Sequence, residues 1–213
     1  MNDQNNYQLL IEHYEHCLAQ FGDTLKGVDW PNEADAAKRY QVMLDVMRPK
    51  SAGASTLLDF GCGASHLYHY ILNNKVTAVE YTGLDASEAF VDLSRKKFPQ
   101  NRYLLLDVLA SPDLLPEFDY IVMNGVFTER RELTFDQMFS YLQKMLKIIF
   151  NKAKVGIAFN VMSKQVDWER DDLFHMPMDM LGNFLVKQLS RHYVIRNDYG
   201  LYEYTVYVYK EPR

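Results

Sequence analysis

The chain has 213 residues, 48% of them hydrophobic and 24% charged, so it can bury a sizeable core and does not have the composition of a disordered protein. Its formal net charge is −5 and it has no long basic block, which excludes the surface that non-specific nucleic-acid affinity requires. We therefore expect a small-molecule partner. The start of the chain lacks the pattern of a secretory signal, and no apolar stretch is long enough to span a bilayer, so a cytoplasmic protein is predicted.

The first fifty residues show apolar side chains at helical spacing. This periodicity predicts one amphipathic helix over 10–21 and a second between Trp30 and Arg48. Pro31 suits the first turn of the second helix, and Pro49 cannot continue it. We expect residues 1–50 to form a helical extension or lid, and residues 51–213 to form the ligand-binding domain, with both packed as one compact unit.

Beyond residue 50, short apolar strands alternate with helical stretches, which is typical of an α/β fold with a doubly wound, mostly parallel sheet. Thr134 and Gln137 form a capping box that begins one of these helices. After a polar insertion at Lys164 to Met176, the end of the chain favours a helix and an antiparallel pair of strands. The strands are predicted at 56–60, 81–84, 103–106, 120–123, 155–159, 193–195 and 202–209, and the helices at 67–72, 87–98, 134–151 and 178–189.

A glycine turn follows the first of these strands. The strand carries Asp59, and the chain then turns through Gly61 and Gly63 into a helical pattern. Such a turn places free backbone N–H groups and the positive end of a helix at the mouth of the sheet. Glycine there allows a ligand to approach the backbone closely.

Two further acids end the next two strands. Asp85 lies 22 residues beyond Gly63, where a carboxylate can bind a ribose diol. Asp107 ends the third strand, beside the expected position of an adenine ring against Leu84, Ala86 and Val108. Each acid alone is also compatible with a helix-capping role.

Asp59 separates two classes of ligand. A carboxylate facing the glycine turn would repel a pyrophosphate and attract an ammonium group. The dinucleotide fingerprint also fails, because His66 stands where its third glycine belongs. A nicotinamide-dependent oxidoreductase is therefore disfavoured.

With these motifs, the segment 56–159 resembles the class I S-adenosylmethionine-dependent methyltransferases, through LLDFGCGAS, GLDAS, LLLDVL and FDYIVMNGVF. The resemblance implies a Rossmann-like, seven-stranded sheet that closes with an antiparallel C-terminal strand pair. It also implies that the methionyl part of the cofactor lies over Asp59, Gly61 and Gly63, that Asp85 binds the ribose and that Asp107 and Val108 flank the adenine. The methyl-donor end would be bordered by Asn124, Gly125 and Val126. Ser65 departs from the pattern, because the family's first motif often has a third glycine there.

The resemblance also predicts the acceptor side. In similar enzymes a helical N-terminal extension lines the acceptor pocket, so we expect Trp30 near the substrate and Arg39 on the cofactor carboxylate. Tyr14 and Phe127 are further aromatic candidates near the substrate, at the predicted mouth of the sheet, where their rings would favour a sulfonium cation. The polar insertion is a second acceptor-side candidate through Asp167, Trp168, Glu169, Arg170, Asp171, Asp172 and His175.

No catalytic base can be assigned from the sequence; His66, Glu129 and His175 are the candidates because each is expected near the strand ends. No metal site is predicted, and His13 and His16 are interpreted as structural or surface residues. The sequence therefore predicts a methyltransferase that uses S-adenosyl-L-methionine on an oxygen or nitrogen of a small molecule. A protein that binds this cofactor without transferring its methyl group is the alternative from a different class.

Overall fold

The computed structural model describes residues 7–30, 32–50 and 52–212. Among these residues, six α-helices lie at Gln8–Phe21 (α1), Glu33–Leu44 (α2), His66–Asn73 (α3), Glu88–Lys97 (α4), Phe135–Lys152 (α5) and Met178–Gln188 (α6). The same part of the chain contains eight strands, at Ser55–Phe60 (β1), Val79–Asp85 (β2), Arg102–Leu105 (β3), Phe118–Phe127 (β4), Ala153–Ser163 (β5), His175–Met176 (β6), Tyr193–Arg196 (β7) and Glu203–Tyr209 (β8). Single 3-10 turns occupy Lys26–Val28 and Pro112–Leu114.

Seven strands form a continuous sheet in the order β3-β2-β1-β4-β5-β8-β7, with the short β6 paired to β5. All neighbours are parallel except β8, which runs antiparallel to both β5 and β7. The doubly wound sheet and its antiparallel C-terminal pair confirm the predicted fold. The carboxyl ends of β1, β2, β3 and β4 consequently meet at one edge of the sheet.

Two apolar layers cover the two faces of the sheet. One contains the buried stripe of α5, predicted from its periodicity, together with Leu181 and Phe184 of α6. The other contains Tyr40 and Met43 of α2 and Leu67 of α3. Burial of side chains on both faces explains why the central strands are continuous apolar runs in the sequence.

Several predicted boundaries differ from the structure. Strands β4 and β5, predicted at 120–123 and 155–159, extend over Phe118–Phe127 and Ala153–Ser163. Helix α2 begins at Glu33 and ends at Leu44, inside the predicted limits, because the Asn32 side chain accepts hydrogen bonds from the backbone N–H groups of Ala34 and Asp35. Pro31, which was expected in the first turn, lies outside the described residues. The insertion ends in β6, a strand of two residues that is too short to show a sequence period.

Helix α1 crosses the carboxyl edge of the sheet, and three hydrogen bonds fix its position. The Tyr7 hydroxyl donates to Asp107 after β3 at 2.6 Å, and the Tyr14 hydroxyl donates to the Gly125 carbonyl of β4 at 3.3 Å. Glu15 accepts from the Ser87 hydroxyl after β2 at 2.6 Å. The first helix therefore covers the same edge to which the glycine turn opens.

The capping box of α5 provides a test of how local sequence stabilises the fold. Thr134 accepts from the Gln137 N–H, and the Gln137 side chain accepts from the Thr134 N–H. Thr134→Ala should lower the free energy of unfolding by about 1 kcal/mol in chemical denaturation. Ser140→Ala, in the middle of the same helix, should change it by less than about 0.5 kcal/mol. Equal losses in the two variants would contradict a stabilising role of the box.

Candidate functional site

The glycine turn has a backbone conformation with positive φ angles, which glycine adopts readily. Gly61 and Gly63 have φ angles of +72° and +50° between the end of β1 and the start of α3. A Cβ atom on Gly61 would lie 2.8 Å from Val126 Cγ2, and one on Gly63 would lie 3.3 Å from Val28 Cγ1. Both positions therefore require glycine for backbone geometry and for space.

Ser65, the departure from the family's motif, adopts the left-handed conformation with φ 57° and ψ 35°. Its side chain is fully buried, and its Oγ lies 2.8 Å from Ser94 Oγ and 3.1 Å from the Tyr103 hydroxyl oxygen. The left-handed backbone explains why glycine is usual at this point. Here the hydrogen bonds of serine offset part of the conformational cost.

Three carboxylates lie along the same edge of the sheet. Asp59 is the buried, penultimate residue of β1 and accepts from the Tyr81 hydroxyl at 2.8 Å. Asp85 ends β2 and accepts from the backbone N–H of Gly63 at 2.9 Å and of Ser87 at 3.0 Å. Asp107 follows β3 and accepts from the Tyr7 hydroxyl.

Burial makes the charged forms of two of these acids unfavourable. It raises the pKa of Asp59 to about 7, with the hydrogen bond from Tyr81 opposing the shift and the charge of Asp85 adding to it. Burial also raises the pKa of Asp85, against the stabilising backbone N–H groups of Ser87 and Gly63. An incoming cation would favour ionisation of both.

One cavity at this edge brings the predicted cofactor residues together. It is lined by eleven of the twelve, namely Asp59, Gly61, Gly63, Leu84, Asp85, Ala86, Asp107, Val108, Asn124, Gly125 and Val126. The Asn124 Oδ1 atom is buried there and accepts no hydrogen bond from any described residue. The glycine turn leaves room for a ligand against its backbone, two buried carboxylates lie beside it, and the buried Asn124 oxygen has no hydrogen-bond donor among the described residues. These features suit a polar ligand that carries an ammonium group.

Several residues of the wall of the first cavity were not predicted from the sequence. Tyr7, Tyr141 and Met145 also line the cavity, and the ring of Tyr7 stacks on that of Tyr141 with centroids 5.6 Å apart. Burial and the adjacent Asp107 raise the pKa of Tyr7 to about 12, so its hydroxyl remains a donor. Met145 belongs to the buried stripe of α5, but no motif marks these side chains as cavity residues.

A second cavity adjoins the first. Tyr14, Trp30 and Gly125 line both. The Gly125 N–H donates to Asn160 Oδ1 at 2.8 Å, and a Cβ atom on Gly125 would lie 3.2 Å from Trp30 Cζ2. The bare backbone of β4 and the Trp30 indole thus form the boundary between the two cavities.

Two predicted residues lie elsewhere. Arg39 does not line the first cavity: its Nε donates to Glu203 at 2.8 Å and its guanidinium lies 5.0 Å from the Trp30 ring centroid, beside the second cavity. Phe127 lines neither cavity, because it is fully buried against Phe159 and Tyr141. Because successive residues of a strand face opposite sides of the sheet, Phe127 faces away from the cavity that Val126 lines.

The three candidate bases differ in their surroundings. His66 lines the first cavity and its Nε2 lies 3.1 Å from Asp23, while burial lowers its pKa. His175 lines the second cavity, but Nδ1 is 2.7 Å from the Ser163 carbonyl oxygen and Nε2 accepts from the Arg170 N–H, so neither nitrogen is free. Glu129 also lines the second cavity, with one carboxylate oxygen buried and without a hydrogen bond.

His13, interpreted from the sequence as a structural or surface residue, lies beside two potential metal ligands. Ligand atoms of His13, Cys17 and Asp29 lie within 4.8 Å of one another. However, the Arg131 guanidinium approaches the two ring nitrogens of His13 at 2.5 and 2.6 Å, where it places a positive charge against any cation. We interpret the cluster as an ion-pair network, in which His13 Nε2 lies 2.8 Å from Asp29.

Comparison with known proteins identifies the class of protein that this fold and site define. A family model described as a methyltransferase domain matches residues 58–148. The fold, the cavity and this match together are those of a class I S-adenosylmethionine-dependent methyltransferase, with S-adenosylmethionine as the methyl donor.

Three known proteins are similar to this chain over most of its length. Rv1506c of Mycobacterium tuberculosis, itself named only as a candidate methyltransferase, is 26% identical over 162 residues, which are 75% of this chain and 96% of that protein. Magnesium protoporphyrin IX methyltransferase of Synechocystis PCC 6803, with bound S-adenosylmethionine, has a TM-score of 0.65 at 11% identity over 99% of this chain and 98% of that one. The plantazolicin methyltransferase BpumL has a TM-score of 0.61 at 12% identity over 99% of this chain and all of that one.

No helix within the described residues is long and apolar enough to cross a membrane.

The contact between Gly125 and Trp30 can be tested with two glycines of similar backbone conformation. Gly125 and Gly200 have φ angles of +82° and +74°, but a Cβ atom on Gly200 would meet nothing within 4 Å. Both alanine variants should lose about 1 kcal/mol of stability from the left-handed backbone. With Trp168 replaced by phenylalanine, only Gly125→Ala should also shift the fluorescence of Trp30, which is then the only tryptophan. An unchanged emission spectrum in Gly125→Ala would contradict the observed boundary.

Proposed function

We propose that this methyltransferase acts on an oxygen or nitrogen of a small molecule held in the second cavity. The observation that carries the proposal is the shared wall of Tyr14, Trp30 and Gly125, which brings the acceptor space against the end of the cofactor cavity. Two proteins of this fold are named for magnesium protoporphyrin IX and for plantazolicin, which supports a small-molecule acceptor.

Each part of the cofactor has a proposed set of partners. Asp59, Gly61 and Gly63 would hold its methionyl part, and Asp85 would accept hydrogen bonds from the ribose hydroxyls. The adenine would lie among Leu84, Ala86, Asp107 and Val108. Asn124, Gly125 and Val126 would border the methyl-donor end, where the unsatisfied Asn124 Oδ1 is available to accept a hydrogen bond.

The cofactor supplies a methyl group on a sulfonium, which leaves by in-line displacement. The protein's contribution is then to align the acceptor and to exclude water. Trp30 and Tyr14 are placed to do both, because each lines the two cavities and Tyr14 is anchored on the Gly125 carbonyl. Aromatic faces at this boundary also favour a sulfonium cation.

The N-terminal extension is the proposed lid. Within the described residues, α1 and the turn at Lys26–Val28 cover the strand ends and contribute Tyr7, Tyr14 and Val28 to the cofactor cavity. The cofactor cavity therefore takes its lining from both sides of the proposed boundary between residues 50 and 51, and both parts would be needed to enclose the cofactor.

A binding and transfer experiment tests the proposed function. Calorimetry should show that S-adenosylhomocysteine binds whereas NADH does not, and incubation of S-adenosylmethionine with a panel of metabolites should release S-adenosylhomocysteine in the presence of at least one acceptor. Cofactor binding without transfer to any member of the panel would favour the non-catalytic alternative. Transfer to a protein or nucleic acid alone would contradict a small-molecule acceptor.

Replacement of Asp85 tests the proposed ribose site. Asp85→Ala should weaken S-adenosylhomocysteine binding by about 1.5 to 3 kcal/mol, the scale of lost charged hydrogen bonds, while circular dichroism shows an intact fold. Asp92→Ala is the matched control, because Asp92 is an exposed residue of α4 whose partner is Arg95. An affinity that is unchanged in the Asp85 variant would reject the assignment.

Asp59 should make cofactor binding depend on pH. Its raised pKa of about 7 means that the carboxyl is mostly neutral at pH 6 and mostly ionised at pH 8. Since only the ionised form attracts the ligand's ammonium, S-adenosylhomocysteine should bind roughly tenfold more tightly at pH 8 than at pH 6. Asp59→Asn should flatten this profile, and Asp92→Asn should retain it. A profile that survives in Asp59→Asn would assign the titration to another group.

A further inference from the structure

The wall of the second cavity carries more carboxylates than cations, namely Asp29, Asp35, Glu129 and Glu203 against Arg39 and Arg170. Arg39 is engaged by Glu203, which also accepts from Asn160 Nδ2 at 3.0 Å. Arg170 is bound to Asp172 outside the cavity. The other three carboxylates have partners outside the wall: His13 lies 2.8 Å from Asp29, Lys38 lies 3.9 Å from Asp35, and Arg131 lies 3.4 Å from Glu129.

Glu129 is the least satisfied of these carboxylates. Its Oε2 atom is buried and has no hydrogen-bond donor among the described residues. Its ion-pair partner is Arg131, whose Nη1 lies 3.4 Å from Oε2 and equally 3.4 Å from Asp172. A buried carboxylate oxygen without a donor is costly, so a ligand N–H directed at it would be stabilising.

Aromatic side chains form much of the remaining wall. Trp30 and Tyr14 lie at the inner boundary, and the largely exposed Trp168 and Tyr202 lie at the rim, with 65% and 63% of their surfaces accessible. Exposed aromatic rings beside carboxylates are the combination that recognises an organic cation with an apolar body, through cation–π contacts and ion pairing.

We propose that the methyl acceptor is an amine carried on an apolar body, and that Glu129 accepts the proton which this amine loses before it attacks the methyl group. This inference rests on the proposed function, since it places the acceptor in the second cavity. It selects nitrogen over oxygen as the nucleophile.

The transfer balances without a further reactant. The acceptor ammonium gives a proton to the Glu129 carboxylate and becomes a neutral amine. Its nitrogen lone pair then forms a bond to the methyl carbon while the carbon–sulfur bond breaks, with the electron pair going to sulfur. Glu129 returns the proton to solvent after the products leave.

The surroundings of Glu129 suit this exchange at neutral pH. Burial raises its pKa to about 7, the charge of Asp29 adds to the shift, and Arg131 opposes it. Titratable and charged groups face it from α1, from the turn before α2, from the loop after β4 and from the insertion, namely Tyr14, Cys17, Asp29, Arg131, Arg170 and Asp172. A carboxyl that titrates near pH 7 can both take up and release a proton under physiological conditions.

Binding of isosteric probes tests the class of acceptor. Calorimetry on the protein loaded with S-adenosylhomocysteine would compare phenethylamine with 2-phenylethanol and phenylacetate. Phenethylamine should bind at least tenfold more tightly than either at pH 8, and about tenfold more tightly at pH 8 than at pH 6. This pH dependence should be lost in Glu129→Gln and retained in Glu132→Gln, a matched control at an exposed glutamate three residues away.

Turnover tests the proton transfer. With S-adenosylmethionine, N-methylated product from phenethylamine, tryptamine or N-methylphenethylamine should form more than tenfold slower in Glu129→Gln than in the Glu132→Gln control. Four results would overturn the inference: tighter binding of the alcohol or the carboxylate, binding of none of the amines, a pH profile that Glu129→Gln retains, or no methylated amine. Failure of S-adenosylhomocysteine to bind would instead overturn the proposed function, so the two failures are distinguishable.

Discussion

A buried carboxylate at the end of the central strand determines what the cleft can bind. Asp59 lies on β1, between its parallel neighbours β2 and β4, with one tyrosine hydroxyl as its donor and a second acid, Asp85, close enough to raise its pKa. Ionising it in this environment costs free energy unless a positive charge arrives. A diphosphate would add negative charge, whereas a ligand with an amino-acid tail supplies an ammonium. The glycine turn beside Asp59 then decides how closely this tail can approach.

The second constraint is the geometry of β4 where the two cavities meet. Gly125 has no side chain, its N–H is bound by Asn160 and its carbonyl by Tyr14, while Trp30 packs against its bare face. Asn160 in turn donates to Glu203, which holds Arg39 over the Trp30 ring. One hydrogen-bonded chain from β8 through β5 to β4 therefore fixes the boundary between the two cavities. This explains why Arg39, expected at the cofactor carboxylate, lies beside the second cavity.

Local patterns predicted the elements well, and the reason is physical. Strands buried on both faces leave continuous apolar runs, and a motif confined to one turn, such as the segment from Asp59 to Gly63, fixes its own backbone. The acceptor side was harder to predict because it depends on contacts between distant segments. Phe127 and Val126 are neighbours in sequence, yet one lies in the core and the other lines the cavity, because successive residues of a strand face opposite sides. His13 contacts Asp29 and Arg131, which are 16 and 118 residues away in the sequence, so no spacing rule reveals these partners.

The measurement that tests this account most directly is a crystal structure of the protein with S-adenosylhomocysteine. The account predicts that the ligand's ammonium lies within roughly 4 Å of the Asp59 carboxylate, the range of a strong charge interaction, with its ribose hydroxyls on Asp85. Its sulfur should point across Gly125 towards Trp30 and the second cavity. A nucleoside bound in the reverse orientation, with its adenine against Asp59, or bound outside this cleft, would contradict the central claim.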